Sequence, residues 1–452
     1  MTGHPLGRAA AGFLLALSVL FLAACGGQID SEQIRVCRSI VPALNPGERV
    51  TVLRTGPAPF PQALRLDYEV ERADRAPLVR WVICRFAGEG LATRKADLIG
   101  IVTEEGALSG ANLYLLKRYY LETPEGVAGD PGSRVEAAVP ELPRALAYSL
   151  QQLIVSLPRT AIYALLAVSF ALVFGLVGRI NLAFGELAAV GSAATVAGAA
   201  VVAIGFGISA PLAGLTAGLV AALFAGALHG AVGGHFTIRR VTAQNTQPSL
   251  IATVGLSLTL MEYLRIVQSP VTVWLPPIWS EAVPLARSGD FLVSLTPITL
   301  VTAGIGLVTA SALLALIKAS PFGRAWRAYA DDSRAAALFG VDGPRLLVRT
   351  LALSGAMAGL SGMLIVAQYG GLGFAGGFQF GLKALIAAII GGIGSIPGAM
   401  LGGVAVGLFE TLWSAYLPIE GRDIALYAAL VVFLIYRPGG LLGFRELAPR
   451  PV

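Results

Sequence analysis

Long apolar stretches dominate residues 146–446, whereas residues 26–145 alternate short apolar runs with frequent charges. A hydrocarbon core about 30 Å thick takes about 20 apolar residues of helix to cross. On that measure spans fall at Leu153–Val177, Leu187–Ile208, Leu212–Val232, Leu250–Val267, Phe291–Ile317, Leu346–Ala367, Leu382–Ile393, Ala399–Leu417 and Ile424–Tyr436. The seventh and ninth are short, and glycine interrupts the seventh. The count is therefore nine, or eight with one re-entrant segment. This pattern predicts an all-α polytopic membrane protein of about 8–9 transmembrane helices, preceded by a small β-rich extracytoplasmic domain.

The longest polar interruption of the apolar region runs from Lys318 to Arg349. It carries Lys318, Arg324, Arg327, Arg334, Arg345 and Arg349 with Asp331, Asp332 and Asp342. Its middle, Asp331 to Gly340, reads as a short helix. Asp331, Asp332 or Ser333 can cap its start, Ala335, Ala336, Ala337 and Leu338 favour its body, and Gly340 can end it. Such an element is a docking helix for a partner, or a plain connection lying in the lipid headgroups. As a dock, Ala335, Ala336 and Ala337 would keep its surface slim, Leu338 and Phe339 would be apolar anchors, and Arg334 could meet an acidic rim.

The N-terminal part is a different kind of sequence. Residues 1–25 have the build of a secretory signal: His4 and Arg8, then an apolar run, then Leu22-Ala23-Ala24-Cys25. The last four resemble a bacterial lipobox, which makes Cys25 a lipidation candidate; an uncleaved anchor helix is the alternative. Both place residues 26–145 outside the cytoplasm. Strands are expected at Arg49–Arg54, Ala63–Val70 and Leu78–Phe86, and one helix at Leu108–Leu121. Residues Thr123 to Pro143 read as a linker. Cys37 and Cys84 are the two cysteines within this domain, and an oxidising compartment favours a bridge between them.

Composition sharpens this picture. Charged residues make up 13% of the chain against roughly 25% in ordinary soluble domains. The net charge of +6 has a topological explanation. With the N-terminal domain outside, the short loops carrying Arg179, then His235, Arg239 and Arg240, then Lys318 to Arg349, and the tail from 447 to 452, all fall on the cytoplasmic side. No basic patch interleaves with aromatics, which argues against nucleic acid as a partner; the partners of a polytopic chain start with membrane lipid. No cysteine or histidine spacing matches a metal site, and no phosphate-cradling glycine loop or nucleophile–histidine pair points to an enzyme.

Polar groups inside apolar spans are costly and face a bundle interior or a watery path. Asn181, Glu186 and Lys383 are therefore candidates for a translocation path. For Glu186 an interfacial charge is the alternative, and for Lys383 snorkelling to the outer headgroups. Glu410 also lies within a span, and Glu262 precedes Arg265 at ion-pair spacing. The run Gly391-Gly392-Ile393-Gly394-Ser395-Ile396-Pro397-Gly398 cannot continue a stable helix. It is either a break lining the path, with Gly391, Gly392 and Gly394 at its wall, or an ordinary turn between spans.

Several of these segments resemble a known family. Gln151-Gln152-Leu153, Ile162-Tyr163-Ala164-Leu165 and Ile180-Asn181-Leu182-Ala183-Phe184-Gly185-Glu186 look like the start of LivH-type permeases of branched-chain amino-acid ABC importers. Phe184 stands where that family usually has histidine. Leu250 to Ser257, Gly323 to Ala328, Ala335 to Val341 and Lys383 to Gly398 are similar to later family segments, so the resemblance covers about residues 150–446. Residues 26–145 lie outside it. The resemblance implies a permease domain at 146–446 working with a second, homologous permease subunit, two cytoplasmic ATPase subunits and an extracytoplasmic substrate-binding protein. It implies no cofactor on this chain, with ATP on the partner subunits, and a bacterial inner-membrane location. Residues Asp332, Arg334, Ala335, Ala336, Ala337, Leu338, Phe339 and Gly340 would then be the coupling helix to the ATPase. The alternatives are an importer of urea, short amides or other amino acids, and a channel or ion-coupled carrier, which has no need of an alanine-rich dock.

Overall fold

A computed structural model describes residues 31–443 apart from 73–74, 89–94, 122, 124–129, 132–138, 209, 239–245, 269–273, 281, 290 and 393. Cys25 and the 447–452 tail lie outside the described residues.

The N-terminal domain is a helix laid on an antiparallel sheet. Helix α1 (Ser31–Leu44) packs on strands β1 (Arg49–Pro57), β2 (Ala63–Arg72), β3 (Arg75–Phe86), β4 (Leu98–Thr103) and the short β5 (Gly106–Ala107), in sequential order. Alternate residues of β2, namely Leu64, Leu66, Tyr68 and Val70, point into the core, as the two-residue period of a strand requires. Ile40 and Val41 of α1 meet them from the helix side. A disulfide joins Cys37 on α1 to Cys84 on β3, with Cα atoms 5.9 Å apart. Helix α2 (Gly110–Leu116), capped by Ser109, continues as a wider turn to Leu121. The domain therefore has two helices and not one. Pro42 is accommodated inside α1, where Ile34, Cys37, Val41 and Leu44 keep helical spacing.

Among the described residues, seven helices of the membrane bundle are long and apolar enough to cross a bilayer: α3 (Arg144–Val177), α4 (Phe184–Ala200, extended by a wider turn to Gly205), α5 (Pro211–Gly233, likewise extended), α6 (Thr246–Gln268), α7 (Pro297–Ala319), α10 (Gly343–Tyr369) and α12 (Ile396–Tyr416). Two apolar helices are shorter, α11 (Gly376–Gly391) and α13 (Arg422–Tyr436). The fifth span begins at Pro297 and not at Phe291. Residues Phe291–Leu295 form strand β7, paired with β6 (Val283–Ser288), because a short apolar run does not distinguish strand from helix by pattern alone. This hairpin receives the chain arriving from the N-terminal domain: Leu142 N–H donates to Arg287 O at 2.8 Å, and Arg287 pairs with Glu141 at 2.6 Å. A second tie runs from Lys95 Nζ to Pro277 O at 3.3 Å.

The bundle is an inverted repeat. Helices α3, α4 and α5 have counterparts in α10, α11 and α12. Both first helices end on a glycine with positive φ, Gly178 at 66° and Gly370 at 88°. Both second helices start after an alanine with nearly equal dihedrals, Ala183 (−75°, −5°) and Ala375 (−90°, −2°). Helices α3 and α10 run antiparallel: Ser354 Oγ donates to Ser169 O at 2.8 Å, and further along α3 Val173 and Val177 cluster with Leu351 and Leu347, which lie earlier in α10. The packing repeats too. Gly226 and Gly230 of α5 abut Gly355 and Leu351 of α10, and Gly403 and Gly407 of α12 abut Ala164 and Thr160 of α3. Close backbone approach through small residues is how apolar helices associate without a hydrophobic driving force.

Between α7 and α10 the chain forms α8 (Pro321–Asp331) and α9 (Ser333–Leu338). Asp331 ends α8 and does not start the second helix; Asp332 caps α9 by accepting from the N–H groups of Arg334 (2.8 Å) and Ala335 (3.0 Å). These bonds hold the Asp332 carboxyl below the usual carboxylate range. Gly340, at φ 86°, turns the chain toward α10.

Candidate functional site in the membrane bundle

Gly185 and Gly377, matching positions of the two repeats, sit against one another where α4 and α11 begin. A Cβ added to Gly185 would lie 2.6 Å from Gly381 Cα, and one added to Gly377 would lie 2.9 Å from Gly185 O. The pseudo-two-fold axis therefore passes between two helix starts inside the bundle. Asn181 stabilises the connection into α4, its Oδ1 accepting from Ala183 N–H at 3.1 Å. Glu186 follows in the first turn and is fully buried, at 0% exposure, so it is not an interfacial charge. Its Oε1 accepts from Ser257 Oγ of α6 at 3.2 Å, and its Oε2 lies beside Gly377 without a hydrogen bond among the described residues. A carboxyl in this position links α4, α6 and α11 at the crossing.

Lys383 of α11 does not snorkel. It is 7% exposed, and its Nζ lies 2.5 Å from Glu410 Oε1 of α12 and 3.4 Å from Asp423 Oδ1 at the start of α13. Glu410 Oε2 accepts from Tyr163 of α3 at 2.8 Å, and Arg422 pairs with Asp423 at 3.2 Å. Burial of both charges is tolerable because each has a partner and the carboxylate takes a further hydrogen bond. This cluster ties four helices, α3, α11, α12 and α13. Sequence reading noticed Glu410 but did not join it to Lys383. The signal lies in the α11–α12 hairpin, where Gly391 abuts Gly398 and Ala387 abuts Gly402. That register sets Lys383 level with Val406, and a long lysine chain reaches one turn further to Glu410.

The structure gives the Gly391 to Gly398 run the role of a turn. Gly392 (φ 114°) packs on the C-terminal segment, where an added Cβ would meet Gly443 N at 2.5 Å, and Leu441 N–H donates to Ile390 O at 2.8 Å. Gly391 and Gly392 are thus consumed by helix packing and a tight turn, away from the Gly185–Gly377 crossing. Gly394 lines a small apolar cavity of about 90 Å³ with Phe170, Phe174, Ile180 and Leu385. Glu262 and Arg265 form the exposed pair their spacing predicts, at 2.6 Å.

On the α8–α9 face, sequence reading missed the anchor. Trp326 of α8 is buried, donates from Nε1 to Leu172 O at 3.1 Å, and lies over Gly175 so closely that a Cβ there would be 2.6 Å from the ring. Arg327 donates to the Ile317 and Lys318 carbonyls that end α7. From this fixed base α9 projects Leu338 and Phe339, each 89% exposed. Ala336, expected to keep the outer surface slim, is instead buried, at 4% exposure. Arg334 and Ala337 are exposed, and Ala335 is half-buried.

Short helices meeting at a buried break on a pseudo-two-fold axis are an architecture of solute-carrying membrane proteins, and this multi-pass chain falls in that class. Comparison with known proteins defines it further. The model of a family described as branched-chain amino acid transport system / permease component matches residues 153–436. The chain is 35% identical over 306 residues to the high-affinity branched-chain amino acid transport system permease protein LivH of Escherichia coli, covering 66% of this chain and 97% of that protein. It is 30% identical over 306 residues to the permease BraD of Pseudomonas aeruginosa, again covering 66% and 97%. A shorter stretch of 101 residues is 32% identical to the fructose import permease FrcC of Rhizobium meliloti, covering 21% of this chain and 28% of that protein. No solved structure matches. The chain belongs to the branched-chain amino acid permease family, and residues 31–143 precede the matched region as an additional domain.

Proposed function

We propose that this chain is a transmembrane permease subunit of an ATP-driven importer of branched-chain amino acids. It would pair with a second permease subunit, bind two cytoplasmic ATPase subunits that carry the ATP, and receive substrate from an extracytoplasmic binding protein. The N-terminal domain, with its disulfide and its two ties to the opposite end of the bundle, would lie on the extracytoplasmic side. The names of the relatives support the substrate class. The observation that carries the coupling role is the bare Leu338–Phe339 pair on a capped helix, held by Trp326 to the bundle. Large exposed apolar side chains on a rigid base mark a protein contact. Movement of the ATPases would pass through α8 and Trp326 to α3, and through α10 to its partners α4 and α5. At the crossing of α4 and α11, Asn181 and Glu186 are the candidates for the translocation path; Lys383 belongs to the adjoining ion cluster.

The test uses membrane vesicles containing the chain, its cognate ATPases and its binding protein. Leucine uptake driven by ATP is expected, with urea and acetamide not taken up. Phe339→Glu and Leu338→Glu are expected to abolish uptake and ATPase co-purification while leaving insertion intact. Uptake of urea but not leucine would overturn the substrate, and unchanged co-purification in both variants would overturn the dock.

A further inference from the structure

The face that carries α8 and α9 also holds a cavity of about 550 Å³, lined by His235, Asp342, Pro344, Arg345, Val348 and Arg349. His235 sits in the turn that ends α5, and the other five belong to the first turns of α10 and its cap. The two elements are clamped together, since a Cβ on Gly234 would lie 2.6 Å from Leu351 Cδ1. Arg345 and Arg349 are one helical turn apart and so share a face. The single carboxylate of the cavity is already committed: Asp342 accepts from Arg345 N–H at 3.0 Å as the α10 cap and pairs with Arg345 Nε at 3.0 Å. Arg349 forms no ion pair among the described residues. The cavity thus keeps a net positive charge, with a free guanidinium facing the histidine.

Its surroundings say which anion it meets. Leu228 and Val232 are exposed apolar residues along the last turns of α5 leading to His235, and the exposed Phe236 follows it, so the cavity mouth lies where acyl chains give way to headgroups. Guanidinium groups match phosphate oxygens in pairs, and basic pockets between spans on the cytoplasmic side suit anionic headgroups. We propose that this cavity binds the phosphodiester headgroup of an anionic lipid, held by Arg349 and Arg345 with His235 opposite. Because Asp342 directly follows the turn out of α9, the bound lipid braces the segment joining α9 to α10. The proposal depends on the chain being a membrane protein and not on which solute it carries.

The experiment is native mass spectrometry of the full-length chain in neutral detergent, titrated with chain-matched phosphatidylglycerol or phosphatidylcholine. Phosphatidylglycerol is expected to be retained preferentially. Arg349→Gln should lower its retention about fivefold, the scale of one cation at a membrane surface, and Arg345→Gln with Arg349→Gln should lower it further. Arg349→Lys should keep most of it, and Arg265→Gln, on the other face, all of it. Inorganic phosphate at millimolar concentration should not displace the lipid. Equal retention of the two lipids, or wild-type retention in the double variant, overturns the site. Displacement by inorganic phosphate overturns the lipid as its ligand and assigns the cavity to a soluble phosphate compound.

Discussion

Replacing Lys383 with methionine should cost more stability than any other single change in the ion cluster, and about half of that cost should vanish when its partner goes too. Lys383→Met keeps the volume of the side chain's stem but strands Glu410, which is 1% exposed and would retain only the Tyr163 hydroxyl. Breaking one side of a buried ion pair costs about 3–5 kcal/mol, because the remaining charge has lost its solvent and its partner. The double variant Lys383→Met with Glu410→Leu leaves no buried charge in the pair, and replacing both partners by apolar groups is often close to neutral. What remains is an orphaned Tyr163 hydroxyl, worth about 1–3 kcal/mol. The double variant should therefore be more stable than Lys383→Met alone by about 2 kcal/mol, the gap between the midpoints of those two costs. Unfolding in mixed micelles, followed by tryptophan fluorescence for the wild type and both variants, measures this difference. A Lys383→Met protein as stable as wild type would refute the pairing. A double variant less stable than Lys383→Met would refute the argument that an uncompensated charge sets the cost.

Two further outcomes follow from the geometry. Gly185→Val should collapse the yield of monodisperse protein, because the added atoms collide with the Gly377 and Gly381 backbone, while Gly255→Ala, with open space around it, should match wild type on size-exclusion chromatography. Asp332→Ala should weaken ATPase co-purification, and Asp332→Asn should preserve it, since both Asp and Asn cap helices well. The depressed carboxyl of Asp332 also sets a sign: its capping contribution is complete above the ordinary carboxylate pKa of about 4 and is lost as pH falls through the lowered folded value, whereas the Asn variant should show no such acid dependence.

The spans, the strands β1 to β3 and the capped helix were legible because each is announced by local pattern: long apolar runs, alternation, and an Asp before a run of alanines. The inverted repeat was not, because Gly178 and Gly370, Ala183 and Ala375, and Gly185 and Gly377 match in backbone geometry while their neighbours differ. The site was legible only in part. Glu186 and Lys383 stood out as charges in apolar runs, but their surroundings depend on contacts between distant helices. Lys383 finds Glu410 through hairpin register, and Glu186 finds Ser257 across the bundle. Ala336 shows the opposite failure. Its residue type suggested an exposed slim surface, yet the fold buries it, and nothing local distinguishes it from Ala337.

The two halves of the repeat are not equally free to move. At the position of α4 that matches Lys383 stands Gly191, packed backbone to backbone on Gly359 of α10. A seam of glycines presents little side chain to interlock, so small translations of α4 along α10 change few contacts and expose no charge. The matching position of α11 carries a latch instead: any slide of α11 along α12 must strain the pairs that Lys383 makes with Glu410 and Asp423. A shear driven from the α8–α9 face should therefore be taken up in the first half, with the second acting as the stator against which it works.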